Sequence, residues 1–188
     1  MVRFSKGEIP MKEHPFVVTS SFTADGDTIT YDKNAQNRST AVGKAFTLNA
    51  DGEATLTTDG DEIIGKVIAV DADGIMTGAY LCGGLRLPLG SGATVARGNK
   101  LVGALGPRSA KGYVKAVPDA PAAVATNAKT DHDNSSVSDA AKTATALNAT
   151  NTALNAAATA INSLSQTANK GRGFVINYDD THALTALF

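Results

Sequence analysis

The chain has 188 residues, is 43% hydrophobic but only 5% aromatic with no Trp, and carries a net charge of -1. Near-neutral charge offers no bulk attraction for nucleic acid or an anionic membrane surface, and neither is expected as a partner. No apolar run reaches membrane-spanning length, and the opening Met-Val-Arg-Phe-Ser-Lys-Gly-Glu is too polar for a signal peptide.

The length suits one domain plus an appendage, with a core of Val, Ile, Leu and Ala. Cys82 is the one cysteine, so no intrachain disulfide forms, which fits assembly in a reducing cytosol.

Residues 1–20 mix polar, charged and proline residues, with Pro10 and Pro15, and show no helical period. They read as an extended N-terminal arm that becomes ordered against a partner, with Phe4, Ile9 and Phe16 as its candidate anchors.

From 21 to 117 the texture changes to short β-type runs. Four Asp-Gly pairs punctuate it, at Asp25-Gly26, Asp51-Gly52, Asp59-Gly60 and Asp73-Gly74. Asp-Gly takes positive φ readily and marks tight hairpins. Strands are expected at 45–48, 53–57, 63–70, 75–81, 85–87, 93–95, 100–102 and 113–117. Gly83-Gly84, Gly90 and Gly92 should mark bulges or corners.

Residues 118–137, with Pro118, Pro121 and Asp131-His132-Asp133-Asn134-Ser135-Ser136, form a polar linker. A helix follows over 138–170, with Ser136 or Ser138 as N-cap, Asp139 in its first turn, and Lys170 and Gly171 as stop signals. The run Gly173-Phe174-Val175-Ile176-Asn177-Tyr178 is β-type, too short to stand alone, and should return to the β-domain. A tail, 183–188, ends the chain.

The expected fold is therefore mainly β: a small antiparallel β-barrel or sandwich, 21–117 with 171–188, carrying an inserted long Ala/Thr/Asn-rich α-helix near the C-terminus.

That helix has an internal repeat. Residues 145–165 read in sevens as Thr-Ala-Leu-Asn-Ala-Thr-Asn, Thr-Ala-Leu-Asn-Ala-Ala-Ala and Thr-Ala-Ile-Asn-Ser-Leu-Ser. Leu147, Leu154 and Ile161 form a spine with a strict seven-residue period, the mark of helices that supercoil about an apolar seam. Their neighbours are mostly small, with Ala144 and Ala158 on the spine's flank. Thr and Asn are mediocre helix formers, and no charged residue occurs between Lys142 and Lys170. A lone helix of this kind is marginal in water. Self-association through Leu147, Leu154, Ile161, Ala144 and Ala158 is the expected remedy, with a single helix lying on its own domain as the plainer alternative.

Chemistry is sparse. His14, His132 and His182 fall in loops or termini. No Gly-x-Ser-x-Gly, His-Glu-x-x-His or paired-cysteine motif occurs. Residues 106–112, Gly-Pro-Arg-Ser-Ala-Lys-Gly, lack the Gly-Lys-Ser/Thr ending of a phosphate loop and read as a surface turn. Asp71-Ala72-Asp73-Gly74 and Asp131-His132-Asp133 lack the distal Glu and ligand spacing of a calcium loop. Cys82 reads as a small buried apolar residue. No catalytic residue, metal ligand or cofactor is assigned, and an enzyme is not expected.

The segment 59–117 carries a family likeness. It runs Asp59-Gly60-Asp61-Glu62-Ile63-Ile64-Gly65-Lys66-Val67-Ile68, then Ile75 through Gly83-Gly84 to Leu89, then Gly90-Ser91-Gly92-Ala93-Thr94-Val95-Ala96-Arg97-Gly98-Asn99-Lys100-Leu101-Val102. This texture resembles the capsid decoration, or cement, proteins of tailed bacteriophages, over about a third of the chain. The helix is not part of that family's compact pattern. The resemblance implies a non-enzymatic virion protein on the outer capsid surface, assembled in the host cytoplasm, forming a homotrimer and bound to the major capsid protein. The rival expectation is a fibre or adhesin subunit whose coiled coil is a receptor-binding stalk. An arm that clamps the capsid predicts that deleting residues 1–16 weakens binding to heads; a deletion variant that co-sediments with heads as well as the full chain would remove the arm from the mechanism.

Overall fold

The computed structural model describes the backbone of residues 17–118 and 139–187, and their side chains except at 17, 80–83, 139–142, 146, 164–169 and 187. The chain is mainly β with antiparallel sheets and one long C-terminal helix. Its strands are β1 (Val17–Thr23), β2 (Ala45–Leu48), β3 (Ala54–Leu56), β4 (Gly65–Val70), β5 (Ile75–Pro88), β6 (Leu101–Ala104), β7 (Tyr113–Ala116), β8 (Phe174–Tyr178) and β9 (His182–Leu187). The helix α1 is Asp139–Lys170. The described residues fall into two compact units, one reaching Val117 and resuming at Lys170, the other containing the helix up to Asn169.

The larger sheet has the order β3-β2-β4-β5-β9-β8, with β1 also on β5. β6 and β7 form a separate hairpin. No closed barrel forms among the described strands.

All four Asp-Gly glycines adopt positive φ, between 70° and 80°. Two of them close hairpins. At Asp51-Gly52, between β2 and β3, the Asn49 side-chain oxygen accepts the N–H groups of Asp51 and Glu53. At Asp73-Gly74, between β4 and β5, the Asp71 N–H donates to Ile75 O (2.8 Å). The other two shape loops. The Asp25 carboxylate accepts the N–H groups of Asp27, Thr28 and Ile29 and the Thr28 hydroxyl. Burial raises the Asp25 pKa, but the hydrogen bonds from Thr28, Thr55 and Ile29 outweigh it and hold the carboxyl below its usual range. The Gly60 N–H donates to Gly103 O (2.9 Å).

Four expectations need correction. β1 begins at Val17, so residues 17–20 belong to the sheet and not to an arm; pairing with β5 recruits this Val-Val-Thr-Ser run. The stretches 75–81 and 85–87 are one strand, and Gly83-Gly84 supply a register shift within it instead of ending it. The terminal residues 182–187 are a strand, paired with both β5 and β8. Residues 93–95 are not a strand: the Ala93 N–H turns back to Gly90 O (3.0 Å), although Val95 is buried. The arm, with Phe4, Ile9 and Phe16, and the linker from 119 lie outside the described residues, as do Ser136, Ser138, His14 and His132.

Two apolar clusters make the core. One gathers Phe46, Ile29, Leu56, Val67, Val70 and Met76. The other gathers Ile63, Leu85, Leu87, Leu101, Val114 and Val175, each at most 2% exposed. The β6–β7 hairpin is tied to the rest by backbone bonds. Gly103 donates to Asp61 O (2.8 Å) and accepts from Gly60, and Gly112 donates to Thr57 O (2.8 Å) and accepts from Ala45 (2.9 Å). Gly103 is required for this joint, because a Cβ there would lie 2.2 Å from Thr58 O.

A test follows from that clash. Gly103→Ala should cost about 2–3 kcal/mol, in the range of core overpacking, whereas Gly52→Ala, in open space at positive φ, should cost about 1 kcal/mol. Urea unfolding followed by tyrosine fluorescence measures both; equal costs would show that the joint yields freely.

Candidate interaction surfaces

An α-helix turns 100° per residue, so a seven-residue spacing returns to nearly the same face. In α1 this sets Leu147, Leu154 and Ile161 in a stripe that drifts by about 40° over two heptads in a straight helix. The three side chains are 59%, 58% and 59% exposed. Ala144 and Ala158 are also exposed, on one flank. On the other flank Thr150, Ala153, Ala157 and Ala160 are half-buried. The structure thus gathers all five expected self-association residues on one side of the helix.

Two threonines answer their own backbone: Thr152 Oγ1 donates to Asn148 O and Thr159 Oγ1 to Asn155 O, each at 2.9 Å. These bonds occupy hydroxyls on the outer surface without adding a partner. No described side chain of α1 is buried. No helix among the described residues is long and apolar enough to cross a membrane.

The polar candidates take different places. Residues 106–112 form the end of the β6–β7 hairpin, where Gly106 N–H donates to Ala110 O (2.7 Å). The Tyr113 ring fills the space beside Gly106, since a Cβ there would meet it at 2.4 Å. Arg108 and Ser109 sit in the left-handed region at φ 56° and 60°, which costs of order 1 kcal/mol each. Asp71 and Asp73 belong to the β4–β5 turn, and among the described residues no cluster of His, Cys, Asp or Glu has the geometry to hold a metal.

One polar cluster escaped the sequence. The β8–β9 turn places Asp179, Thr181 and His182 together. Asp179 Oδ1 accepts the Thr181 N–H (2.7 Å), the Thr181 hydroxyl (2.8 Å) and the His182 N–H (2.8 Å). Strand pairing sets Pro88 against His182, and neighbouring Arg86 donates from Nη2 to His182 Nδ1 (3.2 Å) and lies 3.8 Å from Asp179. An Nδ1 that accepts from Arg86 carries no proton, so the neutral Nε2–H tautomer fits.

The Thr181 hydroxyl, 2.8 Å from the same nitrogen, is shared with Asp179. Asp179 therefore orients the turn and does not reach the imidazole as a catalytic carboxylate would. Beside it lies a cavity of about 210 Å³ lined by Leu89, Val95, Tyr178 and Asp180, below the usual size of ligand pockets.

Burial lowers the His182 pKa, and the Arg86 charge lowers it further; Asp179 opposes this and Lys66 adds to it. The Asp179 carboxyl is lowered too: burial raises it, but the hydrogen bonds from Thr181 and His182 prevail. No protein-family model matches the chain, and no curated protein or solved structure shows significant similarity to it.

These shifts carry a pH signature. A histidine with a lowered folded pKa binds fewer protons folded than unfolded. Its stabilisation is present above the ordinary value of 6.5 and is lost as pH falls through the folded pKa. The thermal midpoint should fall by a few degrees between pH 7 and pH 5, and His182→Gln should remove that step while leaving the acid loss below pH 4. Superimposable profiles for the two proteins, by circular dichroism, would show that His182 is not linked to folding.

Proposed function

We propose that this chain is a structural virion protein that decorates the outer surface of a phage capsid, bridging coat subunits as a homotrimer without catalysing a reaction. The observation that carries the reading is the exposed heptad stripe of α1, set between strands that belong to one β-unit. A stalk usually stands at a terminus with a longer repeat. Here the chain returns from the helix into β8, which pairs with β9, and β9 pairs with β5. That placement favours decoration over the fibre or adhesin alternative. The segment 59–117, with its likeness to decoration proteins, supplies β4, β5, β6 and β7.

In this reading the β-unit works as a small barrel-like clamp. The bonds of Gly103 and Gly112 to the 57–61 segment and Ala45 support it, because they tie the β6–β7 hairpin to the larger sheet. Each copy contributes a modest interface with the major capsid protein. Many copies acting together oppose outward pressure through multivalency. Trimers assembled through Leu147, Leu154 and Ile161 raise the local concentration of docking units.

Co-sedimentation with expanded and unexpanded heads tests the proposal. Saturable binding, stronger on expanded heads, is the expected result, and Leu147→Asn with Leu154→Asn should weaken it at least tenfold by dissolving trimers. Failure of the full chain to bind either form at near-physiological salt would reject decoration and favour the stalk.

A further inference from the structure

We infer that Asn151 lies in the seam between the α1 helices of associated copies, where its carboxamides meet one another and hold the helices parallel and in register. The inference rests on the self-association reading above and adds an orientation to it.

A strict seven-residue spine does not fix how two helices line up. Leu147, Leu154 and Ile161 repeat so evenly that sliding one helix by seven residues again sets large side chains against large ones. Asn148, Asn155 and Asn162 repeat with the same period and distinguish no alignment. The column that holds Ala144 and Ala158 breaks the repeat. At 144, 151 and 158 it reads Ala, Asn, Ala, so one polar residue stands in it once.

The structure selects that column. A heptad seam needs a second column beside the large residues, three or four positions away. On one side of the spine stand Thr150 and Ala157, both half-buried within a single copy. On the other stand Ala144, Asn151 and Ala158, all exposed like the spine itself. Asn151 falls between the two alanines, about 60° round the helix from Leu154. The open column therefore completes the seam, with Leu147, Leu154 and Ile161 at heptad position d and Ala144, Asn151 and Ala158 at position a.

Hydrogen bonding then sets the alignment and the occupant. The hydroxyls of Thr152 and Thr159 are satisfied by the carbonyls of Asn148 and Asn155. The Asn151 side chain has no hydrogen bond among the described residues, and a carboxamide carries both donors and an acceptor. In a parallel, in-register seam position a meets position a, so Asn151 faces Asn151 of the partner subunit. Its amide nitrogen donates to that oxygen while its own Oδ1 accepts, and in a trimer the bonds close a ring about the axis. A slip of seven residues sets Asn151 against alanine instead. An antiparallel seam sets it against leucine, because position a then meets position d. Both leave the carboxamide out of water and unpaired. A single polar residue at position a specifies register in this way, at some cost in stability. Only an identical helix presents the matching carboxamide at the matching height.

Disulfide trapping on the full chain, with Cys82→Ala removing the native thiol, provides the test. Chains with Ala158→Cys should link to one another, since position 158 meets itself only in parallel, in-register helices. Mixed with chains carrying Ala144→Cys, they should form few links between positions 144 and 158, which need slipped or antiparallel helices. Mass spectrometry of the linked peptides counts both. Links between like positions should exceed mixed links about fivefold or more, the ratio set by one unmade hydrogen bond. Asn151→Ala, which favours helix, should leave the oligomer formed by sedimentation equilibrium and bring the two yields together. Asn155→Ala, off the seam, should leave the ratio unchanged. Mixed links that dominate, or a ratio that Asn151→Ala does not move, overturn the inference alone while the oligomer persists. Dissociation of the oligomer by Asn151→Ala would make the residue an adhesive contact and reject its role in register. A parent chain that stays monomeric at all concentrations overturns the self-association reading and this inference together.

Discussion

Strand β5 is the constraint on which the rest of the β-unit depends. β1, β4 and β9 pair directly with it, β2 and β3 reach the sheet through β4, and β8 reaches it through β9. It also serves both halves of the core. Met76 joins one cluster and Gly78 lies beside the Phe46 ring of that cluster, while Ala79, on the opposite face, joins Leu85 and Leu87 in the other. A strand buried on both faces needs small residues where a neighbour crosses it. A Cβ at Gly78 would stand 2.7 Å from the Phe46 ring. That ring in turn meets Phe22 of β1 at a centroid distance of 5.1 Å, so one missing methyl group lets three strands pack together.

The same fact explains what could be read from the sequence. A two-sided strand has no polar-apolar alternation, so 75–87 reads as two apolar runs broken at Gly83-Gly84, when the glycines only shift its register. Turns were legible because their chemistry is local. Asp-Gly demands positive φ wherever it occurs, and all four glycines have it. Whether such a turn joins paired strands is not local, and only two do. β1 and β9 were missed in whole or part, since the Val17–Thr23 run and a His-Ala-Leu-Thr run become strands only through β5. The opposite error at 93–95 has the same root: β-branched residues that pair with no strand stay in a loop, here one whose Ala93 N–H turns back to Gly90 O.

The candidate surfaces divide along the same line. The stripe of Leu147, Leu154 and Ile161 is a property of helical periodicity, and the helix places it as the spacing requires. The Arg86–His182 contact joins residues 96 apart in the chain, so no spacing rule reaches it.

The helix and the β-unit also differ in what stabilises them. The β-unit draws on two buried clusters and on backbone bonds between distant segments. The helix has no charged pairs over 143–169, dilutes its Ala with many Thr and Asn, which are mediocre helix formers, and its described side chains include none that is buried. Its order in the proposed role is therefore linked to association, and linkage makes that order depend on protomer concentration. A dilute copy would hold a formed β-unit and a weakly stabilised helix. Copies concentrated on a repeating surface would gain helix order, seam contacts and avidity in one step.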